Sequence, residues 1–392
     1  MLSRALTAKP RKSFRHRTTK ASYGWSKSVS ICEYDDSSVV VGLMEDMPLV
    51  HCGHQGKAKS STVLCGAGPC TSSGSISTST IGYNWSHVSL KEVLRSSVGV
   101  LGESPVGMTE KVVLSGGRMC VLKRFRKLSV GKAEFGRRVE RFAHVSGTCN
   151  HLVSFRAYLY AKRIKFVLCD YYPMGSLADL LAGCRQHGHT ALDWDQRLTI
   201  MLHIARAIAF IHSQSQAQEK NMKMNVHGNI KASNVMINTD FSACLSDYGT
   251  VQLADQRVDV SDSWQWKAAA ATLVPRHLYS GELCQKCDVY NFGVIILEIL
   301  GGPEGTNMVM TNKLVKENIK GRIKEGEIEF FEFSLTEGKE RKQASQVLDI
   351  ALACTNRQPE ARPLIEHILL RLEDVCNNAY DDRVVLIKNF TR

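Results

Sequence analysis

A chain of 392 residues is too long for one minimal domain and fits a two-lobed domain with an extension. Its 44% hydrophobic and 22% charged residues are those of a globular protein and exclude a wholly disordered chain. The formal charge of +12 is concentrated at one end: Arg4, Lys9, Arg11, Lys12, Arg15, Arg17, Lys20 and Lys27 fall in residues 1–31 with no Asp or Glu, so the remainder is only mildly basic and a general nucleic-acid binder is excluded.

That basic arm has three open readings. It is a strip for an anionic membrane surface, at about 1 kcal/mol per basic residue, an organellar transit peptide, or a solvated tail. No run of eighteen apolar residues encodes a transmembrane helix, and the first residues lack the apolar core of a secretory signal. The 13 Cys read as reduced thiols rather than a disulfide framework. A cytoplasmic protein, peripheral at the plasma membrane through its arm, is the expectation. His51-Cys-Gly-His54 with Cys65 and Cys70 fits no common zinc spacing. Thr71–Thr80 is nearly all Ser, Thr and Gly and reads as a linker, so residues 1–87 are expected to form a largely disordered extension.

From Val88 the pattern becomes regular. Val88–Arg95 has helical spacing. Val98–Leu101, Lys111–Leu114, Met119–Phe125 and Phe166–Tyr171 read as strands, and Ala133–Val145 as a helix. Trp194–Ser213 carries a broad apolar face, Asp288–Leu300 reads as a helix buried on all sides, and Ala344–Thr355 and Pro363–Val375 are amphipathic. Strands first and helices after predict an α+β, bilobal arrangement, with a β-rich lobe over about 88–172, a helical lobe over about 173–376, and a tail at 377–392.

The chemistry-bearing motifs lie on this frame in order. Gly102-Glu-Ser-Pro-Val-Gly107 keeps two glycines of a phosphate-cradling loop, but Ser104 and Pro105 replace its middle and Glu103 adds negative charge. Cys120-Val-Leu-Lys123 ends a strand on a lysine, with Glu140 on the next helix as its expected partner. His227-Gly-Asn-Ile-Lys-Ala-Ser-Asn234 is followed thirteen residues later by Asp247-Tyr-Gly249. Cys284-x-x-Cys287 stands at a loop–helix junction without a second pair and reads as structural thiols.

Together these motifs resemble the kinase domain of plant leucine-rich-repeat receptor-like kinases, and within them the group classed as inactive, which carries H-G-N-I-K and D-Y-G for H-R-D and D-F-G. Asp170-Tyr-Tyr-Pro-Met-Gly-Ser-Leu177, Leu192-Asp-Trp-Asp-Gln-Arg-Leu198 and Cys287–Leu300 share the likeness, which covers about three quarters of the chain. The resemblance implies ATP contacts at Gly102, Gly107, Lys123, Glu140, Asp170 and Tyr171, with Cys169 as gatekeeper, and Mg²⁺ ligands at Asn234 and Asp247. Val121 narrows the adenine slot. Lys231 is the retained catalytic-loop lysine, and Asp288 anchors the loop backbone.

The base position holds Asn229, whose amide accepts no proton at neutral pH, and such a base is worth about 10²–10⁴-fold in rate. Gly228 removes the arginine that would clamp a phosphorylated segment. Arg276 stands where the family pairs a Glu with Arg362, so a rearrangement around Glu282 or Glu360 is expected. The implied function is that of a pseudokinase working through signalling proteins, other receptor kinases among them, with weak or absent binding of ATP and Mg²⁺. A low-activity Ser/Thr kinase is the alternative, because a loose transition state depends little on a strong base.

Overall fold

A computed structural model of the chain describes residues 49–52, 85–104, 106–187, 192–216, 222–254, 283–311, 313–325, 327–336 and 338–390. The basic arm, the Cys65/Cys70 segment, Trp264, Trp266, Arg276 and Glu282 lie outside them.

The first lobe is one antiparallel sheet. Its strands are β1 (Val50–His51), β2 (Ser97–Ser104), β3 (Gly107–Val113), β4 (Met119–Phe125), β5 (Phe155–Tyr160) and β6 (Lys165–Asp170), in the order β1-β5-β6-β4-β3-β2. Helix α1 (Leu90–Arg95), capped by Ser89, covers one face through Leu90 and Val93, against Leu122, Leu159 and Leu168. Helix α2 (Lys132–Thr148) covers the other, burying Phe135, Val139 and Phe142. β1 comes from the stretch expected as extension: Val50 and His51 pair with Tyr158 and Ala157, and Leu49 packs under α1.

The second lobe is helical, with α3 (Leu177–His187), α4 (Trp194–His212), α5 (Gln285–Thr311), α6 (Lys313–Lys324), α7 (Lys339–Cys354) and α8 (Ile365–Phe390). A two-stranded ribbon, β7 (Val235–Ile237) with β8 (Ala243–Leu245), packs against the middle of α4, where His203 meets Ala243. Asp193 and Gln196 close a capping box that starts α4, satisfying two orphan N–H groups. Trp194 Nε1 donates to Gln343 Oε1 (3.0 Å) and Gln343 Nε2 to the Val375 carbonyl (2.7 Å), so one polar chain ties α4, α7 and α8. α5 is buried over most of Asp288–Leu300, as that apolar run predicts, and breaks its helical path at Gly302 (φ 60°).

Where a carboxylate is expected for Arg362, backbone takes its place. The guanidinium, 1% exposed, donates from Nε to the Asn356 carbonyl (2.8 Å) and from Nη1 to that of Lys286 (2.8 Å), and lies 4.7 Å over the Tyr290 ring. Glu360 is exposed and does not bond it. The proposed exchange of acids is therefore not seen among the described residues.

His203 of α4 accepts the Ala243 N–H at Nδ1 (3.2 Å) and stacks on His151 at 4.4 Å. Burial, then the neighbouring His151 and Arg206, push its pKa down to about 4. An unfolded histidine titrates near 6.5, so between that value and about 4 the unfolded chain binds the extra proton. Stability is thus full above pH 6.5 and falls as pH drops toward 4. Melting at pH 4.5 is expected below that at pH 7, by a smaller margin in His203→Gln, whose carbonyl can still take the Ala243 N–H. An equal pH effect in both proteins would contradict this.

Candidate functional site

Between the lobes, the catalytic-loop segment hangs from one acid. Asp288, fully buried on the first turn of α5, accepts the N–H groups of His227 (2.8 Å) and Gly228 (2.9 Å) and the Nε2–H of His212 (3.1 Å). His227 accepts the Asn229 N–H at Nδ1 (3.1 Å), so its Nε2 carries the proton donated to the Ser246 carbonyl (2.9 Å). Burial lowers its pKa and keeps this neutral form. Gly228 sits at φ +80°, and an added Cβ would lie 2.5 Å from Leu283, so the position is built for glycine.

Asn229 is half-buried on this loop, and both of its hydrogen bonds are made by its backbone. Asn234 Nδ2 donates to the Asn229 carbonyl (2.8 Å), while its own carbonyl receives the Ser246 N–H (2.7 Å). Lys231 is exposed. A stack then joins the lobes: Tyr248 lies edge-on to Phe142 of α2 at 5.3 Å and 6.2 Å from His227, and its hydroxyl donates to the Met224 carbonyl.

Lys123, in mid-sheet on β4, forms a direct ion pair with Asp247. Burial, the largest single influence, would lower the lysine's pKa and raise the aspartate's, but the partner's charge, their hydrogen bond and neighbouring groups together outweigh it, so Lys123 moves up and Asp247 down. Both are charged at neutral pH. The structure thus brings together Lys123, Asp247, Asn234 and Asn229, and leaves Lys231 exposed at the rim.

Glu140 is not among them, which corrects the expected Lys123–Glu140 pair. It is exposed and accepts a hydrogen bond from Tyr158 Oη on β5 (2.8 Å). Helical spacing explains the difference: the buried face of α2 runs through Phe135, Arg138, Val139 and Phe142, and Glu140 falls off it. Arg138 takes the inward place. It is 5% exposed, donates from Nη1 to the Gln252 carbonyl (2.7 Å) and pairs with Glu134. Arg138 thus lies on the buried face of α2 and Glu140 off it, as the 3.6-residue period counted from Phe135 gives.

The remaining expected contacts are tied up in the lobe. Ser104 and Gly107 close the β2–β3 hairpin, with the Gly107 N–H donating to Ser104 Oγ (3.3 Å) and Ser104 Oγ to the Gly107 carbonyl (3.2 Å). An added Cβ at Gly107 would stand 1.9 Å from the Arg124 carbonyl, so this glycine serves strand packing. Gly102 has open space around it. Arg156 holds Asp170 with two bonds (2.9 and 2.5 Å), and the Lys111 ammonium lies 4.5 Å from the Tyr171 ring centre. Cys169 and Val121 are buried behind them.

An amide oxygen at Asn234 and a carboxylate at Asp247 are the hard donors a Mg²⁺ ion takes, and their backbones are joined through Ser246. The donor set fits the metal, provided Lys123 releases the carboxylate.

A family model for protein tyrosine and serine/threonine kinases matches residues 102–372. A "Probable inactive receptor kinase" of Arabidopsis thaliana is 33% identical over 292 residues, covering 73% of this chain and 44% of that protein. A "Probable leucine-rich repeat receptor-like protein kinase" of the same plant is 33% identical over 299 residues, covering 73% and 42%. The chain therefore spans less than half the length of these curated relatives. Among solved structures, the maize SIRK1 kinase domain bound to AMP-PNP aligns with a TM-score of 0.59 and 25% identity, over 74% of this chain and 96% of that one. The pseudokinase domain of BIR2, an immune regulator, aligns with a TM-score of 0.57 at 22% identity over 72% and 82%, a likeness of fold alone.

Proposed function

Because the chain belongs to the protein tyrosine and serine/threonine kinase family, we propose that it acts as a pseudokinase, a kinase fold that signals by binding partners and transfers phosphate slowly or not at all. One observation carries this reading. The carboxylates at the catalytic loop are both committed, Asp288 to three donors and Asp247 to Lys123, while the base position presents only the amide of Asn229. Among the described residues, no uncommitted carboxylate there is left to take a proton from an incoming hydroxyl. Glu140, bonded to Tyr158 and not to Lys123, and Ser104 in the hairpin add to the loss.

When bound, Mg²⁺-ATP supplies a transferable phosphoryl group; Lys123, Asn234 and Asp247 are the residues that would hold it. The Lys123–Asp247 pair has to part first, which weakens binding. Relatives described as inactive receptor kinases support signalling proteins, other receptor kinases included, as the partners. Attachment to an anionic membrane surface through residues 1–31 belongs to the same reading and rests on their charge.

Ligand linkage gives the test. At a nucleotide concentration near Kd the gain is about 0.4 kcal/mol, a rise in Tm on the order of 1 °C for a domain of this size. Millimolar ATP with Mg²⁺ is expected to shift melting by about that much or less. A rise of several degrees would show a cleft that opens readily and would remove the closed pair as an obstacle.

A further inference from the structure

Cys284 and Cys287 sit where the chain enters α5, and their geometry goes beyond packing. Cys284 is the N-cap: its carbonyl accepts the N–H groups of Cys287 (3.0 Å) and Asp288 (3.2 Å), and its sulfur accepts the Cys287 N–H at 3.2 Å. Helix starts favour Ser, Thr, Asp or Asn in that role, so here a thiol does the work of a hydroxyl. The two thiols also share a hydrogen bond with each other. Both are partly exposed, and Cys284 lines an open cavity of ≈ 330 Å³ with Lys223, Leu283 and Lys286.

The Cys284 sulfur stands at the start of α5, within hydrogen-bond reach of the Cys287 N–H, so the two sulfurs share one helical turn. Nine cysteines whose side chains are described are thiols, and four of them, Cys120, Cys169, Cys244 and Cys354, are buried where Cys284 and Cys287 are partly exposed.

We propose that Cys284 and Cys287 form a redox-active dithiol, oxidised to an intramolecular disulfide by small-molecule disulfides. The Cys284 thiolate attacks one sulfur of the oxidant, forming a mixed disulfide and expelling one thiolate. Cys287 then loses its proton, and its sulfur displaces the second thiolate from Cys284. The pair gives up two electrons and two protons, and the oxidant leaves as two thiols.

Closing this bond disturbs the helix start. Helical neighbours three apart have Cβ atoms about 5–6 Å apart, whereas a disulfide brings them to about 3.5–4.5 Å, so the first turn must tighten. Such a bond is strained and readily reduced, as a reversible one must be. The disturbance has a path to the catalytic loop: Leu283, next to the cap, fills the space beside Gly228, and its carbonyl accepts a hydrogen bond from Lys223 Nζ (2.7 Å).

Peptide mapping of the full chain tests this. The reduced protein is treated with glutathione disulfide, capped with N-ethylmaleimide and digested with trypsin, which cuts after Lys286 between the two cysteines. Two peptides joined through Cys284 and Cys287, two hydrogens lighter than their reduced sum, are expected. Cys284→Ser, which keeps a capping hydroxyl, should abolish the link, and Cys287→Ser should accumulate glutathione on Cys284. Recovery of both cysteines as maleimide adducts, under conditions that oxidise a control dithiol peptide, would overturn the proposal. So would glutathione retained on Cys284 in the unmutated protein.

Discussion

Arg362→Met is expected to lower stability by about 3–5 kcal/mol, one of the two largest effects of a single change in this chain. The guanidinium is buried with no carboxylate bonded to it among the described residues, and its worth lies in the donors it supplies to the carbonyls of Asn356 and Lys286. Removing them strands two buried acceptors at about 1–3 kcal/mol each and empties the face of Tyr290. At about 2–4 °C per kcal/mol, the melting temperature should fall by roughly 10 °C. Arg362→Lys should recover less than half, since an ammonium cannot span two carbonyls as the planar fork does. Thermal and urea melts of the full chain decide it; a loss under about 1 kcal/mol for Arg362→Met would mean that the carbonyls find other donors.

The second large effect concerns the cleft. Lys123→Met leaves the Asp247 carboxylate without its cation in a poorly hydrated place, a loss of about 3 kcal/mol, the lower end for broken buried pairs because the carboxylate keeps some access to water. Lys123→Met with Asp247→Leu should win most of that back, since an apolar pair has no charge to desolvate. If instead the double variant is less stable than Lys123→Met, the pair is not what holds the lobes at this point. The pair's own pH dependence has a clear sign. Asp247 is held below its ordinary value near 3.8, so its contribution is complete above that and disappears as acid protonates it.

Most of the frame was legible because long periodic segments carry their own signal. Met119–Phe125 is β4 at its full length, and Trp194–Ser213 matches α4 to within a residue. β5 leaves no such signal, because Phe155, Ala157, Tyr158 and Leu159 are all buried and no in–out alternation remains. β7 and β8, three residues each, exist through their pairing with one another, and β1 through its pairing with β5. The site divides in the same way. Lys123, Asn234, Asp247 and Asp288 follow from motif spacing, whereas the place of Glu140 depends on how α2 is rotated. Spacing along the chain suggested Glu140; rotation gives Arg138 the inward place. Arg362 shows the same limit, since carbonyls 6 and 76 residues away complete its surroundings and no local pattern marks them.

A single measurement bears most directly on the central claim: transfer of the ATP γ-phosphate to protein hydroxyls by the purified chain, beside Lys123→Met and Asn229→Asp. Transfer is expected to be indistinguishable between the first two, and Asn229→Asp is expected to add little, because Ser104 and Val121 remain and Glu140 stays on Tyr158. Turnover that Lys123→Met abolishes, or a rise of orders of magnitude on restoring the acid at 229, would contradict the account and show a kinase lacking one group.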